Sequence, residues 1–413
     1  MKITIRDVRA ILTAPAGINL IVVKVETSEP GLYGLGCSTF TQRWTAVAAA
    51  VNEHLRPLLV GREVDRIEEI WQLMYQHSYW RNSPVLNNAI SGVDIALWDI
   101  KGKQARMPLY DLLGGKVREG AAVYRHADAA NPQAVEEKIH RFLSAGIRHV
   151  RVQVGAYGGS GAADNYSLTT PSGATYRGAP PEGALPGSYF HPRLYMRATI
   201  AALEHVRGVF GDGVELIHDV HERLAPALAV ELAKEVEPLY LFFLEDLLPP
   251  EHVSWFANVR QVCSTPLAMG ELFIAPMEWT PLVTGRLIDF LRMHISAIGG
   301  LTPARKAAIL GEAHGVRTAW HGPGDVSPVG HAVNVHLDLA SHNFGIQEWA
   351  GFNEELQSVF PGCPELRQGY AYVNGKPGHG VDIDETLAAK FPCKPVTEAW
   401  TQSRLPDGSL ARP

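Results

Sequence analysis

The chain has 413 residues, 46% hydrophobic and 19% charged, enough apolar material for a large globular core and a length that suggests two or three units or one barrel with an appendage. Its 37 basic and 43 acidic residues leave a net charge of −6 with no basic block, so neither nucleic acid nor an anionic membrane is an evident partner. No run reaches the roughly 18 apolar residues of a membrane span, the charged start MKITIRDVRAILTAPAG does not read as a signal peptide, and Cys37, Cys263, Cys363 and Cys393 lack CxxC spacing, so a zinc site and a disulfide framework are not expected and a reduced cytoplasm is.

Residues 1–118 read as a mixed α+β domain. KITIRDVRAIL and NLIVVKVET carry strand patterns, and WTAVAAAVNEHLRPLL and ISGVDIALWDIKGKQA carry helical ones. GLYGLG predicts a hairpin rather than a dinucleotide fingerprint, because no helix start follows it. From about 119 to 350, eight short apolar runs (AAVYRHAD, HVRVQVG, ELIHDV, LFFLEDL, PLAMGEL, FLRMHIS, VRTAWHG, NFGIQEWA) alternate with amphipathic stretches such as APALAVELAKEVE and LTPARKAAILGEAHG. That alternation predicts a parallel β/α barrel with its chemistry at the C-terminal strand ends. Residues 156–190, rich in Gly, Pro and Ser, predict a long functional or disordered loop. The turn-rich segment 351–413 is expected to pack back on the first domain.

Asp219, Glu245 and Glu271 each close one of these apolar runs, 26 residues apart each time, about one β/α unit. Three carboxylates brought to neighbouring strand mouths cannot all stay ionised without a cation. An all-oxygen set suits Mg²⁺ better than zinc. In a continuing strand, Asp219 and His221 share a face, which sets a group able to exchange protons near neutral pH beside the metal.

These residues, together with RNSPVLNNAISGVDIALWDIKGK, HDVHER, FFLED, GELF, HGPGDVSP, NFGIQEW and PGHGVDIDE, resemble the enolase superfamily, and within it the mannonate dehydratase family, over nearly the whole chain. The resemblance implies a modified (β/α)7β TIM-type barrel behind an N-terminal α+β capping domain, and one Mg²⁺ per subunit on Asp219, Glu245 and Glu271. The second barrel strand carries Arg151 and Gln153 where related branches carry lysine bases. The family instead pairs the arginine with a loop tyrosine, which implies Arg151 and Tyr157 as the proton-abstracting pair, with Tyr166 as the alternative. A guanidinium beside a phenol favours the phenolate. His221 becomes the acid that protonates the departing hydroxyl. Thr41, His126, Glu271, Arg292, His321, Asp325 and Glu348 are implied as substrate contacts. Thr41 and Pro323 depart from the mannonate-active pattern of asparagine and alanine, and so point toward D-gluconate as much as D-mannonate. The partners implied are a small acid sugar and further copies of the chain, as a tetramer or octamer. Epimerisation of another sugar acid and metabolite binding without turnover are the rival functions.

Overall fold

The computed structural model describes residues 2–154, 167–169, 175–177, 181–397 and 399–412. The chain divides into two compact units, one of residues 1–123, 270–286 and 291–396, the other of residues 124–269, 287–290 and 397–413.

The first unit opens with three antiparallel strands in the order β1 (Ile5–Thr13), β2 (Leu20–Thr27) and β3 (Tyr33–Cys37). Ile5, Val8, Ile21, Val23 and Val25 bury one face against helices Ile67–His77 and Pro84–Ala105. Ile67, Ile70 and Met74, three and four residues apart, supply the first helix's apolar stripe. The second begins with proline in its first turn and stops at Arg106, whose φ of 56° is a left-handed helix end. The stretch read as GLYGLG is the second arm of the β2–β3 hairpin, and its glycines let that helix close on the sheet. A Cβ on Gly34 would stand 2.0 Å from the Ala96 carbonyl oxygen and one on Gly36 1.9 Å from that of Gly92. The single helix expected over residues 44–59 is Trp44–Ala49, a π-helical turn Ala50–Leu55, and Arg56–Leu59.

The second unit holds a parallel sheet in the order β4 (Ala121–Ala129), β5 (His149–Val154), β8 (Glu215–Asp219), β9 (Phe243–Glu245) and β10 (Leu267–Met269). Strands β6 (Ser167–Thr169) and β7 (Thr175–Arg177) form an antiparallel hairpin within the segment expected to be a long loop. Helices Pro132–Ser144, Pro192–Phe210, Pro226–Glu235 and Phe256–Val262 alternate with the parallel strands, and the first three start with proline, whose missing N–H is no loss there. Every residue of β9 and β10 is buried, the near-continuous apolar pattern of strands covered on both faces.

The remaining runs form β11 (Phe290–Leu291), β12 (Arg317–Thr318) and β13 (Gln347–Glu348), separated by helices Leu301–Ala313 and Pro328–Ala340. In the first unit, Ala319 and His321 donate N–H bonds to Leu291 and Met293 at 3.0 and 3.1 Å, and Gly345 donates to Thr318 at 2.8 Å. Residues up to 396 return to the three-stranded sheet, where Glu385 meets Arg9 and Lys24, each at 2.7 Å. The last residues belong to the second unit, where the Arg404 N–H bonds Ser188 at 2.9 Å and the Arg404 carbonyl accepts from Phe190 at 2.6 Å. Among the described residues, no helix is long and apolar enough to cross a membrane.

Candidate active site

In the second unit, strand pairing sets Asp219 directly opposite Glu245. Both side chains are fully buried, as is Asp246. One ligand oxygen from each of Asp219, Glu245 and Asp246 lies within 4.8 Å of the others. At about 4 Å and an effective dielectric near 20, each like-charged pair costs about 4 kcal/mol, so the group requires positive charge. Arg151 on β5 supplies part of it, its Nη1 donating to Asp219 Oδ2 at 3.0 Å and reaching Glu245 Oε1 at 3.5 Å. The other oxygens are held separately: the His221 backbone N–H donates to Asp219 Oδ1 at 2.7 Å, and the Tyr124 hydroxyl to Glu245 Oε2 at 3.0 Å. Two fixed donors thus orient each carboxylate while one oxygen of each faces the guanidinium. Three buried carboxylates converging in this way form a hard, all-oxygen donor set that fits a divalent ion such as Mg²⁺.

The third member of this compact group is Asp246, not Glu271. The reason is register: Glu245 pairs with Ala268, so Glu271 falls three residues beyond the position equivalent to Asp219 and Glu245. Equal sequence spacing hid a difference in loop length. One expectation is corrected, that of a shared strand face for Asp219 and His221. Strand β8 ends at Asp219, and His221 and Glu222 take left-handed φ values of 53° and 60°, so strand alternation does not bring the two side chains to one face. What links them is the His221 N–H on the Asp219 carboxylate. Asp246 is also left-handed, at φ 39°. Non-glycine residues held in this region are uncommon, and here three follow directly on the two acid-bearing strands.

His126, on β4, accepts from Arg151 Nη2 at 3.0 Å through its Nδ1. A guanidinium only donates, so this Nδ1 carries the lone pair and a neutral ring has its proton on Nε2. Asp128, two residues on, has Oδ2 3.6 Å from the same nitrogen. Arg151, His126, Asp219, Glu245 and the His221 backbone therefore come together. Tyr157 and Tyr166 lie outside the described residues.

The first unit assembles most of the other expected residues. Arg292, fully buried, donates Nη1 to Glu271 Oε2 at 2.5 Å and Nη2 to Glu348 Oε2 at 2.6 Å. The Gly322 N–H also reaches Glu348, at 2.9 Å. His321 Nε2 stands 3.4 Å from Glu271 and 3.9 Å from Glu348, while its Nδ1 meets His294 Nδ1 at 2.7 Å. Burial pushes His294 down to about 4, keeping it neutral, and pushes Asp325 up to about 7 with help from Glu271 and Glu348. Thr41 is buried, its hydroxyl bonded to the Asn19 carbonyl at 3.1 Å.

Asp246, Tyr124, Asp128 and His294 were not singled out as site residues from the sequence. The ED doublet after LFFL was the one signal for Asp246; Tyr124 and Asp128 flank His126 at strand spacing, as in YRHAD.

Two family descriptions cover most of the chain: mandelate racemase / muconate lactonizing enzyme, N-terminal domain, over residues 4–114, and enolase C-terminal domain-like over residues 134–387. The chain is 53% identical over 415 residues to a D-galactonate dehydratase family member from Musicola paradisiaca, and 54% identical over 412 residues to one from Enterocloster bolteae, covering 100% of each protein in both comparisons. An enolase from Pantoea ananatis, crystallised with bound D-gluconate and Mg, superposes with a TM-score of 0.94 at 52% identity, with 100% of both chains covered. The N-terminal capping domain, the barrel-like α/β domain and these likenesses establish the chain as a member of the enolase superfamily, in its D-galactonate dehydratase family.

Proposed function

We propose that this protein is a Mg²⁺-dependent dehydratase that removes water from a six-carbon aldonic acid, D-gluconate and/or D-mannonate, to give 2-keto-3-deoxy-gluconate. The observation that carries the reading is the buried group of Asp219, Glu245 and Asp246, one ligand oxygen of each within 4.8 Å of the others. The Pantoea ananatis relative that binds D-gluconate and Mg supports the choice of ion and substrate class.

When bound, Mg²⁺ stabilises the second negative charge that develops on the substrate carboxylate as its α proton leaves. Asp219 and Glu245 hold the ion, with Asp246 or Glu271 as the third carboxylate. Tyr157, its phenolate favoured by Arg151, takes the α proton. His221 protonates the C3 hydroxyl as it departs, from a turn whose backbone is tied to Asp219. Arg292, His321, Asp325, Glu348, His126 and Thr41 bind the carboxylate and hydroxyls. Cytoplasmic action by a homo-oligomer completes the reading.

A panel of D-gluconate, D-mannonate and D-galactonate, assayed for 2-keto-3-deoxy product with Mg²⁺ and with chelator, tests it. Metal-dependent product from gluconate or mannonate is expected. Product from galactonate alone would correct the substrate, solvent deuterium uptake without elimination would point to epimerisation, and no product from any acid would overturn the enzyme. Comparing Asp246→Asn with Glu271→Gln in a Mn²⁺ titration decides the third carboxylate.

A further inference from the structure

Behind the acid group of the second unit lies a buried polar chain that the proposed reaction does not use. His218, next to Asp219 on β8, places Nδ1 2.8 Å from the Val152 carbonyl and Nε2 2.7 Å from the Tyr195 hydroxyl. A carbonyl oxygen only accepts, so the proton sits on Nδ1. With Nδ1 protonated, a neutral ring presents its Nε2 lone pair to the Tyr195 hydroxyl, which then donates to it. The chain runs from the Tyr195 hydroxyl through His218 to the Val152 carbonyl. Both ends matter. Val152 lies between Arg151 and Gln153 on β5, and Tyr195, in helix Pro192–Phe210, also reaches the Asp219 carbonyl oxygen at 3.4 Å.

Tyr195 has a second task. The Arg223 guanidinium stacks 5.4 Å from its ring centroid and 5.6 Å from that of Phe190. Arg223 follows directly on the left-handed pair His221 and Glu222, so this stack anchors the far end of the turn that carries His221. A buried cation over aromatic faces is favourable where water is excluded, and it acts against the strain of the left-handed turn.

We infer that Tyr195 is a positioning residue for this active site: through His218 it sets the spacing of Asp219 from Arg151, and through Arg223 it holds the turn bearing His221. The inference rests on the metal and acid roles proposed above. It differs from a packing role in requiring the hydroxyl and the ring separately. Tyr195→Phe removes the donor and keeps the stack, Tyr195→Leu removes both, and His218→Gln keeps an acceptor toward Tyr195.

The test measures Mn²⁺ affinity by paramagnetic resonance, kcat and KM on gluconate, and the tautomer of His218 by ¹⁵N NMR. The wild type is expected to show the Nδ1–H tautomer. Tyr195→Phe should bind Mn²⁺ about tenfold more weakly and lower kcat with little change in KM, His218→Gln should retain most of the Mn²⁺ affinity, and Tyr195→Leu should lose kcat further. Tyr195→Phe with wild-type Mn²⁺ affinity and kcat, or a His218 ring protonated on Nε2, would overturn the inference. Failure of the wild type itself to bind Mn²⁺ would sink the metal reading instead, and the NMR result would still judge the Tyr195–His218 chain.

Discussion

Two buried clusters of opposite charge, one in each unit, solve the same electrostatic problem differently. In the first unit, Arg292 meets two carboxylates, Glu271 and Glu348, each through its own nitrogen, with His321 alongside. In the second, Arg151 faces Asp219 and Glu245 with Asp246 beside them, and one of its distances is as long as 3.5 Å. In the first unit each carboxylate takes its own guanidinium nitrogen. In the second, one oxygen from each of three acids converges within 4.8 Å, the arrangement that suits a cation. The lesson is that the convergence of three ligand oxygens, and not the mere presence of buried acids, is what favours a metal site.

Breaking the three-acid cluster should have the largest effect. Asp219→Asn or Glu245→Gln should abolish detectable turnover and weaken Mn²⁺ binding by at least tenfold, about 1.4 kcal/mol, in a direct titration. His221→Asn should lower kcat by roughly 10²–10⁴ while leaving Mn²⁺ affinity close to wild type, because the bond to Asp219 comes from its backbone. Loss of metal together with activity would mean that the side chain supports the ion rather than the leaving group.

Breaking the Arg292 cluster should show in stability. Arg292→Met leaves Glu271 and Glu348 without their shared cation, a change expected to cost about 3–5 kcal/mol in denaturant unfolding. A cost below about 1 kcal/mol would show that the carboxylates find other compensation. The smallest effect should be that of Asp325. Its folded value of about 7 lies above the ordinary 3.8, so the folded state holds a proton that the unfolded state releases, and stability falls as pH rises between those values and levels off above 7. Asp325→Asn should therefore gain on the wild type by about 1 kcal/mol at pH 8, discounted for the residue's partial exposure, and lose that advantage near pH 4. The same gain at both pH values would remove the titration from the explanation.

Much of this was legible before the structure. The eight apolar runs each hold a strand, and Asp219 and Glu245 close theirs as strand-end carboxylates should. Apolar periodicity reports on burial, and burial is what makes those strands. Register is different, because it depends on how many residues a turn consumes. The even 26-residue spacing therefore could not show that Glu245 pairs with Ala268, nor that the neighbouring Asp246 completes the compact group. Backbone conformation was equally hidden: nothing in HDVHER announces that His221 and Glu222 are left-handed, since non-glycine residues are uncommon in that region. His218 is buried, and its link to Tyr195 spans 23 positions and two elements and follows from packing alone.

The proposed chemistry depends on one divalent ion held by the acids of the second unit. Isothermal titration of the substrate-free wild type, Asp219→Asn and Glu245→Gln with Mg²⁺ tests it most directly. One ion per chain in the wild type, lost or sharply weakened in both variants, is the predicted result; no binding in the wild type, or wild-type binding in either variant, would contradict it.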